Sequence, residues 1–176
     1  MTGEPDAVDD LLDAWRTTRP DLDPGPLGVV GRVIVLAKHL ERSVESALAR
    51  HNLTLGQFDI LATLRRAGKK GGLTPGQLLQ SVMLSSGGMT SRLDKLEAAG
   101  LVDRGPDPSD RRGVMVFLTQ KGRKVIDAAT ATRFQEAAES QPPLNEIDQQ
   151  LLTDFLRRWL NTVTAEPVVC GGESVE

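Results

Sequence analysis

The stretch from Thr74 to Leu118 limits most severely what this chain can fold into. It signals a short helix, a second helix and a β-hairpin in immediate succession. Thr74-Pro75-Gly76-Gln77 is a capping box with proline at the first helical position, and it opens a helix through about Ser81 carrying Leu78 and Leu79. Ser85 or Ser86 starts the next helix, which closes on the glycine of Ala98-Ala99-Gly100. Leu101–Arg104 and Val114–Leu118 are strand-like and flank the turn-forming run Pro106-Asp107-Pro108-Ser109-Asp110-Arg111-Arg112-Gly113.

Helical patterns surround this block. Asp6–Thr17 places Leu11, Leu12 and Trp15 on one side and stops at the turn-rich residues 19–26. Leu27–Arg50 is a long helix with Val33, Leu36, Leu40, Val44 and Leu48 at helical spacing. Thr54 caps a further helix whose core face is Phe58, Ile60, Leu61 and Leu64. Two more helices, about 119–139 and 144–164, are split by Pro142-Pro143, and a loose tail follows Pro167. The alternating βα units of a parallel sheet are missing. The expected fold is therefore mainly α, a winged helix–turn–helix with a β-hairpin wing and N- and C-terminal helices forming a dimerisation region. Its expected parts are an extra N-terminal helix and linker (1–26), a dimerisation helix (27–53), a winged domain (54–118), C-terminal dimerisation helices (119–164) and a flexible tail (165–176).

Charge narrows the function. The net charge of −3 conceals 2 basic against 7 acidic residues in 1–25, 17 against 9 in 26–133, and 2 against 8 in 134–176. A basic centre between acidic ends suits a local nucleic-acid surface, although scattered solvated charge gives the same counts. No apolar run approaches the ~20 residues of a bilayer span, so no membrane role is expected. The acidic start lacks a signal core and the single cysteine, Cys170, has no internal partner, which together suggest a cytoplasmic protein.

In the second helix of the central block, Met89, Leu93 and Leu96 fall within about 60° of one another and face the core. Gly87, Thr90, Ser91, Asp94 and Lys95 face away. Two adjacent glycines in a first turn cost roughly 1 kcal/mol each relative to alanine, and close approach to another surface would compensate. Small and hydroxylated side chains fit a major groove, and helix N–H groups favour phosphate. The candidate DNA contacts are therefore Ser85, Ser86, Gly87, Thr90, Ser91, Arg92 and Lys95, against the plainer reading of a surface helix with a glycine-rich start. Arg111 and Arg112 at the hairpin tip suit a minor groove or phosphates, though Asp107 and Asp110 could tether either one.

The last helix carries Leu144, Ile147, Leu151, Leu152, Phe155, Leu156, Trp159, Leu160 and Val163, an apolar set wider than one packed face. A homodimer reading two half-sites about one DNA turn apart accounts for it. His39 and His51 lack any metal-ligand spacing, and no phosphate loop or nucleophile motif is present. No catalytic residue, metal or cofactor is expected. A DNA-free helical interaction module is the rival class, and a thiol sensor at Cys170 lacks a neighbouring cation to lower its pKa.

These residues resemble the MarR family of bacterial transcription regulators over roughly 27–164. The resemblance is sharpest in the run from Met83 to Glu97, in Gly100-Leu101-Val102-Asp103-Arg104 and in Asp110-Arg111-Arg112-Gly113. It implies a dimer, one winged helix per protomer, pseudo-palindromic double-stranded operator DNA and repression of a nearby or divergent gene. Trp15-Arg16 and Arg19-Pro20-Asp21-Leu22-Asp23 further resemble the extra N-terminal helix of the urate-responsive PecS, TamR and HucR subgroup. That likeness implies a ligand set of Trp15, Asp59, Arg66 and Arg104 and an effector such as urate, with another phenolic or aromatic carboxylate as the competing effector. Asp59 and Arg66, seven residues apart on one helix face, leave room for a planar polar molecule across roughly 10 Å. Plainer uses stay open: Trp15 as an anchor, Asp59 and Arg66 paired elsewhere, Arg104 on a phosphate.

Overall fold

The computed structural model describes residues 4–68, 72–81, 88–107 and 110–165, the side chains of 110–112 and 165 excepted. In chain order it holds α1 (Ala7–Thr18), α2 (Gly25–Ala49), α3 (Leu55–Arg66), α4 (Pro75–Ser81), α5 (Met89–Ala98), β1 (Val102–Asp107), β2 (Asp110–Leu118), α6 (Gln120–Ser140) and α7 (Glu146–Ala165). The first compact unit is Met1–Ser140 and the second Gln141–Glu176.

Local chemistry sets most helix starts. Asp6 caps α1 in a reciprocal box with Asp9, and Thr54 does the same for α3 with Gln57. Thr74 and Gln77 exchange the same pair of bonds at α4, 2.9 and 3.2 Å long. Arg32 of α2 pairs with Asp6 at 2.9 Å and Asp9 at 2.7 Å, so the capping carboxylates also fasten α1 to α2. Val8 and Leu12 are buried in that contact, over Gly31 and Gly28.

The core of this unit gathers Leu48, Ile60, Leu61, Leu64, Leu78, Leu96, Val102, Val116 and Ile126. Of the long stripe expected on α2, Val44 and Leu48 enter it, whereas Val33, Leu36 and Leu40 are exposed. The reason is length. Antiparallel α6 meets α2 from His51, hydrogen-bonded to Thr132 at 2.8 Å, to Ser43, 3.2 Å from Ser140, and α6 ends there. The N-terminal half of α2 runs on past it.

Two expectations are corrected. The helix expected from Ser85 or Ser86 begins at Met89, because Gly88 has φ +87° and cannot belong to a right-handed helix. The cost assigned to a glycine in a first helical turn therefore does not arise at Gly88, which caps the helix in a left-handed conformation. Ser85, Ser86 and Gly87 lie outside the described residues. The hairpin is also longer than expected. Pairing runs from Val102↔Leu118 to Pro106↔Val114 and, after an irregularity, Asp107↔Asp110. Arg111, Arg112 and Gly113 thus belong to β2 without counterparts on β1, beside the tip rather than at it. Proline is tolerated at Pro106 because β1 is an edge strand. Leu73 bridges Val116 on the far side of β2.

In the second unit, Asn145 caps α7 by accepting the N–H of Asp148 at 2.9 Å. The helix exposes Ile147, Leu151, Leu152, Phe155, Leu156, Leu160 and Val163. Among the described residues no helix is long and apolar enough to cross a membrane.

Where the hairpin hands over to α6, Thr119 donates to the Gly100 carbonyl at 2.8 Å and accepts the Gly122 N–H at 2.9 Å. A Cβ on Gly122 would stand 2.0 Å from the Leu101 carbonyl oxygen, a backbone atom with no room to retreat. Gly122→Ala should therefore destabilise the protein by about 2–3 kcal/mol, lowering Tm by roughly 5–10 °C. An unchanged melting temperature would mean this junction is loose.

Candidate functional site

The outward face of α5 presents Thr90, Ser91, Asp94 and Lys95, all exposed, while Leu93 and Leu96 are buried. Arg92 is half-buried and leans against α3. The Arg92 side chain lies over Gly56, where a Cβ would come 2.7 Å from its Nε. Of the residues expected to face DNA, Thr90, Ser91 and Lys95 do lie on the open face. Arg92 instead lies over Gly56 of α3, beside the core contact made by Leu93 and Leu96. The side chains of Arg111 and Arg112 lie outside the described residues, as do Ser85, Ser86 and Gly87.

Arg104 on β1 pairs with Asp94 and, at 3.4 Å, with Glu97. This ties the hairpin to α5 and neutralises the acidic residue on the face that carries Thr90, Ser91 and Lys95. Lys121 Nζ donates to the Ala99 carbonyl at 2.7 Å and caps the other end of α5, where a cation suits the helix dipole.

A cavity of about 670 Å³ lies between α3 and α6. Asp59 and Arg66 both line it. Trp15, on α1 and 43% exposed, and Arg104 do not. The structure thus brings together two of the four residues of the expected ligand set. Among the other lining residues, which the sequence reading does not assign to a site, are Phe58 from α3 and Thr130, Arg133 and Phe134 from α6. Thr130, Arg133, Phe134 and Ala137 recur at helical spacing, a signal that sequence does contain. Knowing which element that face would meet required the fold.

The cations around the cavity differ in what holds them. Arg65 is spent on Asp127, which accepts from its Nε at 2.7 Å and its Nη2 at 3.3 Å. Arg66 donates to the Thr63 hydroxyl at 2.8 Å, and among the described residues no carboxylate lies within ion-pair distance of it. Arg133 pairs with Glu136 at 2.7 Å. Burial raises the Asp59 carboxyl above the ordinary aspartate range, against the opposing pull of Arg66, Arg133 and Arg92. Among the described residues no donor hydrogen-bonds Asp59. A half-buried acceptor beside guanidinium groups suits a small polar molecule carrying both an N–H or O–H donor and an anionic oxygen. Among the described residues no group of His, Cys, Asp or Glu could hold a metal ion.

Comparison with known proteins agrees with the architecture. Residues 51–113 match the family model described as MarR family. Over 151 residues the chain is 34% identical to the HTH-type transcriptional regulator PecS of Dickeya dadantii, covering 86% of this chain and 91% of that one. A Cys-to-Ser variant of MarR from E. coli, solved in complex with operator DNA, is similar at a TM-score of 0.66 and 26% identity, covering 83% of this chain and 97% of that one. A MarR family regulator from Streptomyces coelicolor, in complex with DNA, shares the fold at a TM-score of 0.69 and 21% identity, over 80% of this chain and 90% of its own.

The raised Asp59 carboxyl has a consequence for stability. Between its unfolded and folded values the native state holds the extra proton, so stability falls as pH rises through that window. Asp59→Asn should raise Tm near neutral pH, with the gain shrinking to nothing once pH falls below the ordinary carboxylate range. Thermal melts across pH read this directly. A lower Tm for the variant at neutral pH would mean the ion pairs outweigh the burial.

Proposed function

The chain belongs to the MarR family of DNA-binding transcription regulators, and on that premise we propose that it is a homodimeric repressor released from a pseudo-palindromic operator by a small anionic aromatic effector such as urate. One observation carries this reading. Helix α3 lines the cavity with Asp59 and Arg66, and near its start Gly56 supports Arg92 of α5. A ligand that displaces α3 displaces the helix that reads DNA.

On this reading Thr90, Ser91 and Lys95 meet the major groove, with Ser85, Ser86 and Gly87 leading into it, and Arg111 and Arg112 take phosphates or the minor groove. Arg92 serves by bracing α5 on α3. The likeness to the E. coli MarR variant bound to operator DNA supports the docking mode. The N-terminal half of α2 and, separately, α7 expose apolar residues that a second copy would cover.

Asp59 and Arg66 are the effector contacts within the cavity. Trp15 and Arg104 complete the set that the family resemblance implies. Arg104 lies outside the lining, so recruiting it to a ligand would break its tie to Asp94. That would leave an uncompensated carboxylate on the DNA-facing side of α5, a direct electrostatic route to release. An effector weakens operator binding only by its differential affinity for the two states.

Fluorescence anisotropy on duplex DNA from upstream of the gene, with urate titrated in, tests the proposal. The expected result is tight binding that weakens steeply with salt and is reversed by urate, with the reversal blunted in Asp59→Asn. Binding that urate leaves unchanged would retire urate and favour a phenolic or aromatic carboxylate effector. Absence of specific binding to any fragment in a genome-wide selection would overturn the repressor reading in favour of an interaction module.

A further inference from the structure

The cavity's α6 wall contains a charged group that neither the family resemblance nor the expected ligand set assigns. Arg133 lines the cavity and at the same time donates to Glu136 at 2.7 Å. Glu136 is 8% exposed, a carboxylate buried between α6 and α2. It does not depend on Arg133 alone. The Ser140 hydroxyl donates to its other oxygen at 2.7 Å, and Ser43 of α2 stands 3.2 Å from that hydroxyl. Burial works to raise the Glu136 carboxyl, but the Ser140 and Ser43 hydroxyls and the Arg133 charge outweigh it and hold it below the ordinary glutamate range. Arg133 can therefore turn from Glu136 toward the cavity and leave behind a carboxylate that still has hydrogen-bond donors.

Three features then face one space. Arg66 comes from α3 with no carboxylate partner among the described residues, Arg133 comes from α6, and Asp59 feels the charge of both. Phe134, next to Arg133, lines the same cavity and is 71% exposed, an aromatic surface with little covering it. Two guanidinium groups call for anionic oxygens, whereas a carboxylate calls for a donor and repels a second carboxylate. The planar ring calls for another ring.

Resting on the effector reading above, we propose that Arg133 is the second cationic jaw of the cavity, closing on the effector from α6 opposite Arg66. Asp59 restricts that effector to ring systems that carry N–H beside their anionic oxygen. The effector's ring stacks on Phe134, and aromatic carboxylates lacking ring N–H are disfavoured. Closure moves Arg133 off Glu136, and because Glu136 is shared with Ser43 the change is felt on α2 as well.

Isothermal titration calorimetry on the full-length protein, with urate as the N–H-bearing probe and salicylate as a carboxylate lacking ring N–H, tests this. Wild type is expected to bind urate at least tenfold more tightly than salicylate, and Asp59→Asn to erase that preference. Arg133→Ala is expected to weaken urate at least tenfold, with Arg133→Lys intermediate because it keeps the charge and loses the fork. Since Arg133→Ala strips a buried carboxylate of its cation, the double variant Arg133→Ala/Glu136→Gln is included. It should recover the Tm and remain as weak toward urate. Wild-type urate affinity in the double variant would overturn the proposal while leaving the effector reading intact. Salicylate bound more tightly than urate would overturn the N–H preference. Neither probe binding to wild type would overturn the effector reading and the jaw together.

Discussion

The packing of α5 on α3, through buried Leu93 and Leu96 and with Arg92 lying over Gly56, is the constraint on which the rest of this molecule turns. It joins the helix that presents Thr90, Ser91 and Lys95 to the most deeply embedded helix of the fold. Along α3, Phe58, Ile60, Leu61, Ala62 and Leu64 are all buried, so a shift of the helix disturbs the core it shares with α5. Packed interiors move between discrete arrangements rather than yielding gradually. On the proposed reading, a ligand that shifts α3 at Asp59 or Arg66 shifts α5 with it. The pairing of Arg104 with Asp94 and Glu97 ties the hairpin to α5 in turn.

Helix α6 extends this logic to the other end. It packs on α3 through the cavity and on α2 through His51–Thr132 and the Ser43, Ser140 and Glu136 cluster. A buried carboxylate is costly unless paired and hydrogen-bonded, and Glu136 has both. Such a cluster adds little net stability, but it fixes where α6 stands against α2. The exposed apolar half of α2 begins where α6 ends. The same helix thus borders the proposed effector cavity and delimits the exposed apolar surface of α2 assigned to the proposed dimer.

Much of this was legible in the sequence because it is written in local chemistry. The Thr54 and Thr74 caps, the split at Pro142-Pro143 and the hairpin after Gly100 all follow from nearest-neighbour preferences that tertiary packing did not override. What escaped is nonlocal or backbone-specific. The left-handed φ of Gly88 leaves no trace in the sequence beyond the residue type that permits it. The strands ran into Pro106 and Asp110, because an edge strand tolerates residues that otherwise mark a turn. Arg133 and Phe134 were missed because a helical face says nothing of what it will face. Two members of the four-residue set that the resemblance implies, Asp59 and Arg66, share one helix, so their juxtaposition is visible from spacing. Trp15 and Arg104 sit on other elements, and no sequence spacing could place them.

In the proposed mechanism, the effector cavity and the DNA-reading face are coupled through α3. The most direct measurement is urate affinity by calorimetry with the protein free and with it saturated by operator duplex. Coupling requires operator to weaken urate by the same factor by which urate weakens operator. A matched factor well above one is the predicted result. Urate affinity unchanged by saturating operator would contradict the account, since the two sites would then be independent.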